Sequence, residues 1–136
     1  MIEYFDDEAS NLSLLTDRQR LEYVIQRGQQ TNRLPEDQRI DNNKVEGCQS
    51  NAYLLVSTAN NEVTVRTDAD SKVVRGYLAF LSEGFTGENP QTVIDEAEQS
   101  VKAFVDKGNL SSTFTPNRSD AFTNTVDAIV NELKQG

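Results

Sequence analysis

A short stretch, residues 43–54, contains the only cysteine in the sequence and limits how the chain can fold around it. Cys48 follows Gly47, and glycine adopts backbone angles that other residues resist, so the chain can turn sharply beside the thiol. Residues 44–46 alternate polar and apolar side chains as a half-buried strand does, and residues 52–56 have the composition of a second strand. The pattern predicts a cysteine at the tip of a loop between two strands.

The thiol of Cys48 is the strongest nucleophile that the chain offers near neutral pH, because the sequence has no histidine. A free cysteine is often a small buried hydrophobe. Here the flanking glycine and the polar Gln49 and Ser50 make a poor place to bury a packing residue. A single cysteine cannot form an internal disulfide, so the fold does not need an oxidising compartment.

Length and charge narrow the class of protein. The 136 residues suit one domain, 1–136, with its own core. There are 13 basic and 22 acidic residues, a net charge of −9, which argues against nucleic acid or an anionic membrane as a partner. Residues 1–15 lack the features of a signal peptide, and no apolar run approaches the roughly 20 residues that span a bilayer. We therefore expect a reducing cytoplasm.

Apolar periodicity and capping residues predict several helices. A capping box at Thr16 and Gln19 begins a helix that ends near Gly28. Asp70 or Ser71 caps a second helix, which ends before Gly84. The remaining segments are a short helical turn that begins at Pro35, a helix from Asn89-Pro90 to Gly108, and a last helix that begins near 116–119 and runs to Leu133. Residues 1–11 are left undecided.

Three antiparallel strands fit the rest of the pattern. One lies around Val45, and the others span residues 52–58 and 62–67, joined by a turn at Asn60-Asn61. A helix, three strands and then several helices define an α+β fold. We therefore predict a small three-stranded antiparallel sheet with helices packed on one face.

The residues around Cys48 resemble the active loop of the SufE family. The likeness is carried by Val45-x-Gly47-Cys48-Gln49-Ser50 followed by an aromatic-Leu pair. Three flanking motifs agree in order and spacing: Leu34-Pro35, Asp68-Ala69-Asp70-Ser71-x-x-Val74-Arg75-Gly76, and Thr115-Pro116-Asn117-Arg118-Ser119. The resemblance covers the chain from about Leu14 to Leu133. It implies the same α+β architecture, a SufE/NifU-like fold.

The resemblance also implies a function. SufE proteins accept sulfur from a pyridoxal-phosphate cysteine desulfurase of the SufS type and pass it to iron–sulfur cluster assembly. Cys48 is then the sulfur acceptor, and the chain stimulates the desulfurase as an accessory rather than acting as a stand-alone enzyme. A cluster-assembly scaffold is the expected downstream partner. The chain itself needs no metal or cofactor, since the pyridoxal phosphate belongs to the desulfurase.

Several further residues are candidates for loop support or partner binding: Gly47, Gln49, Ser50, Arg75 and Arg118. Arg118 falls at the start of the last helix, where a cation is unfavourable to the helix dipole, so helix stability does not explain its placement. The resemblance implies that it lies near the active loop. Asp120 replaces part of an Asn-Gly or Gln-Gly pair usual in the family and offers Arg118 an ion-pair partner. A solvated surface position remains the alternative for both arginines.

Sulfur storage and sulfur transfer make opposite demands on Cys48. A persulfide is lost to stray thiols unless it is sheltered, yet burial in apolar surroundings raises a thiol pKa and slows attack. We therefore infer a loop with an inward, protected state and an outward, reactive state. The alternatives are a single-cysteine binding or scaffold module without sulfur transfer, an iron–sulfur scaffold, and a thiol redox sensor. One cysteine supplies neither the several cluster ligands nor the resolving thiol that the last two require.

Overall fold

The structure is a computed structural model that describes residues 2–49 and 51–136. A β-hairpin follows the segment that contains Cys48. Within the described residues, five α-helices and two strands occur in this order: α1 Glu3–Ser13, α2 Asp17–Gln30, β1 Ala52–Ala59, β2 Glu62–Ala69, α3 Lys72–Phe85, α4 Pro90–Gly108 and α5 Pro116–Gln135. Short 3-10 helices span Glu36–Gln38, Asp41–Asn43 and Leu110–Thr113. The prediction of an α+β fold is confirmed.

The hairpin turns through Asn60 and Asn61, as predicted. Both have positive φ, 54° and 63°, which is the left-handed conformation that asparagine tolerates and a two-residue hairpin turn requires. Along β2, Val63 and Val65 are buried between exposed neighbours. This alternation directs one face of the sheet into the core, where α3 packs against β2 and α5 against β1.

The prediction of a third strand around Val45 is wrong, because the sheet of the described residues has two strands. Before Val45 the chain is wound into the 3-10 helix Asp41–Asn43, and after it Gly47 turns with φ at 83°. Only a short extended piece remains between them. It forms a single isolated bridge, from Lys44 to Tyr53 of β1.

Two glycines predicted to stop helices instead lie inside them. The helix α2 continues past Gly28 to Gln30, and α3 continues past Gly84 to Phe85. A Cβ on Gly28 would lie 2.8 Å from the backbone nitrogen of Gly76, and one on Gly84 would overlap the ring of Phe5. These glycines therefore allow close packing between helices rather than termination.

Residues 1–11, which the sequence left undecided, contribute most of α1. Phe5, Ala9 and Leu12 are fully buried on one side of this helix, at helical spacing. The ring of Phe5 lies 5.0 Å from that of Phe85 and 5.5 Å from that of Phe104, so α1 closes the core against α3 and α4.

Candidate functional site

The loop that carries Cys48 leaves the 3-10 helix Asp41–Asn43 and returns as β1. At its beginning, Val45 N–H donates to the carbonyl of Ala52 at 2.9 Å. At its end, the side chain of Asn51 donates to the carboxylate of Asp70 at 2.8 Å, and Asp70 N–H donates to Asn51 O at 3.1 Å. Both ends of the loop are therefore fastened to the hairpin and to the chain that follows it.

The tip of the loop is held by Asn124 of α5. The side-chain nitrogen of Asn124 donates to the carbonyl oxygen of Gly47 at 3.2 Å. Gly47 has φ of 83°, and a Cβ there would lie 2.8 Å from the same nitrogen atom. Glycine is thus required at this position both for backbone conformation and for the approach of Asn124.

The Cys48 side chain is half-buried and packs against the hydrophobic core. Burial raises the pKa of the thiol above its ordinary value, a hydrogen bond with Asn124 lowers it, and the carboxylate of Asp120 raises it. Because the net direction is upward, the thiolate, which is the nucleophilic form, is less populated in this conformation than in a free cysteine.

Arg118 and Asp120 both lie in the first turns of α5, but they act on different groups. Arg118 donates to the carbonyl of Thr113 at 2.9 Å. The hydroxyl of Tyr77 donates to the same carbonyl at 3.1 Å. Burial raises the pKa of Tyr77, and the hydrogen bond with Thr113 and the charge of Arg118 lower it. Asp120 faces Cys48, and no ion pair joins it to Arg118 within residues 2–49 and 51–136. The expected Arg118–Asp120 pair is therefore not formed.

Arg75 lies at the corner between β2 and α3. Its Nε donates to the carbonyl of Ala69 at 3.1 Å and lies 3.4 Å from a carboxylate oxygen of Asp68, which is almost fully buried. Asp68 also accepts hydrogen bonds from Leu34 N–H at 3.1 Å and from Arg33. Two of the three motifs that flank the loop in sequence, Leu34-Pro35 and the one from Asp68 to Gly76, are thus joined around one buried carboxylate.

The other predicted loop residues have simpler surroundings. Gln49 is exposed at the surface. Ser50 lies outside the described residues, so the prediction for it stays a prediction.

Asn124 was not singled out from the sequence, although a signal for it existed. It follows Asp120 by four residues, and positions four apart share one face of a helix. A loop contact through Asp120 would therefore have pointed to Asn124 as its neighbour. The prediction had instead directed Asp120 towards Arg118.

Two kinds of site are absent from the described part of the chain. No group of three or more His, Cys, Asp or Glu side chains is placed to hold a metal ion there. Nor does any helix in this part combine the length and the apolar character that crossing a membrane requires.

Residues 6–133 match the model of a family described as "SufE: Fe-S metabolism associated domain". The chain belongs to the SufE family. An uncharacterized SufE-like protein of Synechocystis is 27% identical over 107 residues, which is 79% of this chain and 65% of that protein's length. A hypothetical protein from Thermus thermophilus, solved in solution, has the same fold with a TM-score of 0.77. That alignment covers 97% of this chain and 94% of the other at 15% identity.

Proposed function

We propose that Cys48 accepts persulfide sulfur from a pyridoxal-phosphate cysteine desulfurase and passes it on to iron–sulfur cluster assembly. Membership of a family associated with iron–sulfur metabolism supports the pathway. The observation that carries the proposal is the placement of the only cysteine, half-buried at the tip of a loop fastened at both ends. We infer that a cysteine in this position can both shelter its bound sulfur and present it to a partner.

The transfer is a thiol–persulfide exchange. The Cys48 thiolate attacks the outer sulfur of a cysteine persulfide on the desulfurase, and a new S–S bond forms as the old one breaks. The desulfurase cysteine leaves as a thiolate, and the outer sulfur with its proton now belongs to Cys48. No external oxidant or reductant is consumed, because one S–S bond replaces another.

The raised thiol pKa suits the inward, protected state of the loop. Transfer requires an outward state in which Cys48 loses its apolar cover and ionises more readily. The tip is held by the Asn124 hydrogen bond to Gly47, so a partner that binds the outward state more tightly shifts the population. In this scheme the chain is an accessory of a SufS-like desulfurase in the cytoplasm, and the pyridoxal phosphate stays with that enzyme.

The remaining candidates support this site. Arg118 braces the segment before α5 through Thr113, and Arg75 braces the β2–α3 corner through Asp68. We propose that Gln49, which is exposed beside Cys48, contacts the partner, as Ser50 does by its place in the motif.

The proposal is tested by incubating the protein with a cysteine desulfurase and cysteine, followed by mass spectrometry of the intact protein and of its peptides. One added sulfur atom is expected on the peptide that contains Cys48, with none on Cys48→Ser, and the desulfurase is expected to turn over faster with the unsubstituted protein. Absence of added sulfur with several desulfurases would favour a binding module without sulfur transfer. Iron and sulfide that copurify and vanish with Cys48→Ser would instead favour a cluster scaffold.

A further inference from the structure

In the part of the chain that the structure describes, the outer edge of β1 has no backbone partner beyond Ala52. The two-residue turn makes Ala59 and Glu62 a hydrogen-bonded pair, and such pairs alternate along an antiparallel ladder. The backbone groups of Leu55 and Ser57 therefore point towards β2. Those of Val56 and Thr58 point away from it, to the outer edge of the sheet.

The two edges of the sheet differ in their backbone hydrogen bonds. On the β2 side, Val63 exchanges hydrogen bonds with the loop after α3, donating to Glu88 O at 2.8 Å and accepting from Gly87 N–H at 2.8 Å. On the β1 side, one backbone hydrogen bond crosses the edge in the described residues: Val45 N–H donates to Ala52 O. An unpaired edge is a template for another strand.

A groove runs beside this open edge, between β1 and α5. It has a volume of about 600 Å³, and the partly buried Leu54 and Val56 contribute apolar surface to it. Asn124 lines the same groove and also holds Gly47 at the tip of the Cys48 loop. A strand seated in the groove would therefore meet the residue that tethers the reactive loop.

The charge on the walls indicates what the groove accepts. Glu46, Asp127 and Glu132 line it, and none of them has an ion-pair partner within 4.0 Å in the part of the chain that the structure describes. The single basic residue in the lining, Lys44, already pairs with Asp41 at 3.2 Å. Electrostatic complementarity thus favours an occupant with basic side chains.

We propose that an extended, basic segment of the sulfur-donating desulfurase adds to the outer edge of β1 as a further strand. Backbone hydrogen bonds to Val56 and Thr58 supply the pairing, and the acidic wall selects the basic segment. The inference rests on the proposed function for the identity of the partner. It adds a docking surface separate from the Cys48 loop itself.

The charge component is tested with a double variant, Asp127→Lys with Glu132→Lys. The matched control, Asp7→Lys with Glu98→Lys, makes the same change of net charge at exposed positions on α1 and α4. The probe is the full-length desulfurase that loads Cys48 fastest. We expect the groove variant to bind about tenfold more weakly than the control. Equal affinity of the two variants would overturn the inference.

The pairing component is tested on the unsubstituted chain, so it does not depend on whether a variant folds. Hydrogen exchange of the Val56 and Thr58 amides is expected to slow when the desulfurase binds. Unchanged exchange would overturn strand addition even if the charge variant binds weakly. Slowing that depends on the chain's own concentration, without desulfurase, would identify a second copy as the occupant and overturn the proposal.

These outcomes separate the inference from the function on which it rests. If Cys48 is persulfidated while the groove variant and the edge amides behave as in the control, sulfur acceptance stands and the docking surface is rejected. If no desulfurase loads Cys48, the proposed function fails, and the docking proposal fails with it.

Discussion

At the helical end of the molecule, Arg27 of α2 bonds to Glu8 of α1 at 2.7 Å and to Glu83 of α3 at 2.8 Å. The Cys48 loop is tied to α5 through Asn124, whose side chain donates to Gly47 O at 3.2 Å and hydrogen-bonds the Cys48 thiol. The first arrangement connects three helices through one partly buried guanidinium, which also lies over the ring of Phe80. The second ties a loop tip, in the described residues, to one neutral side chain.

The two regions therefore differ in how easily they open. Several charge-assisted hydrogen bonds, with aromatic packing beneath them, resist local opening. A single hydrogen bond contributes a net ~1 kcal/mol, which a binding partner easily offsets. The loop that carries Cys48 is therefore the segment that a partner is expected to move, while the helices stay in place.

The largest expected effect is on the free energy of unfolding, and it differs between substitutions at Gly76 and at Gly47. Gly76→Ala places a Cβ against the backbone carbonyl of Val24, so α2 and α3 must move apart, and overpacking of this kind costs about 3 kcal/mol or more. Gly47→Ala costs about 1–2 kcal/mol for its positive φ, since the atom that it meets belongs to the side chain of Asn124. Urea denaturation of the two variants measures both losses. Equal losses would contradict the comparison.

A smaller effect is expected from Asn124→Ala. Loss of the hydrogen bond to Gly47, worth ~1 kcal/mol, raises the open population of the loop and hence the rate of Cys48 alkylation about fivefold. The rate is taken from the high-pH plateau, where the thiol is ionised in every variant, because Asn124→Ala also removes the hydrogen bond that lowers the Cys48 pKa. The free energy of unfolding should change little, because the helices do not depend on this contact. Thr123→Ala, its exposed neighbour on α5, serves as the control. An alkylation rate equal to that of the control would show that Asn124 does not hold the loop.

The smallest effect concerns the charge beside the thiol. The Asp120 carboxylate raises the pKa of Cys48, so Asp120→Asn should lower it and increase the thiolate fraction at any pH below that pKa. The profile of alkylation rate against pH should then shift to lower pH. Asp127→Asn, one charge removed from the same helix, should leave the profile in place. A shift to higher pH in Asp120→Asn would contradict the assigned direction.

Local signals in the sequence predicted local structure well. The capping box of Thr16 and Gln19 forms as predicted, and Ser71, one of the two predicted caps, accepts a hydrogen bond from Val74 N–H at the start of α3. These features depend on residues three positions apart, which the sequence displays directly. The turn at Asn60-Asn61 was predictable for the same reason.

Features that depend on distant neighbours were not predictable in this way. Gly28 and Gly84 resemble helix stops until the helices that pack on them are known. The segment around Val45 has a strand pattern, but its flanking turns leave it too short to pair further. The contact between Gly47 and Asn124 joins residues 77 apart, so the motif singled out Cys48 but not the side chain that holds its loop.

In the proposed scheme, the folded protein shelters the Cys48 thiol and a bound partner exposes it. The most direct test compares alkylation of Cys48 in the folded chain, in the urea-unfolded chain, and in the folded chain with a catalytically inactive desulfurase whose thiols are blocked. We expect alkylation about tenfold slower in the folded chain than in the unfolded one, and faster again when the desulfurase is added. Equal rates in the folded and unfolded chains, unchanged by the desulfurase, would contradict the account.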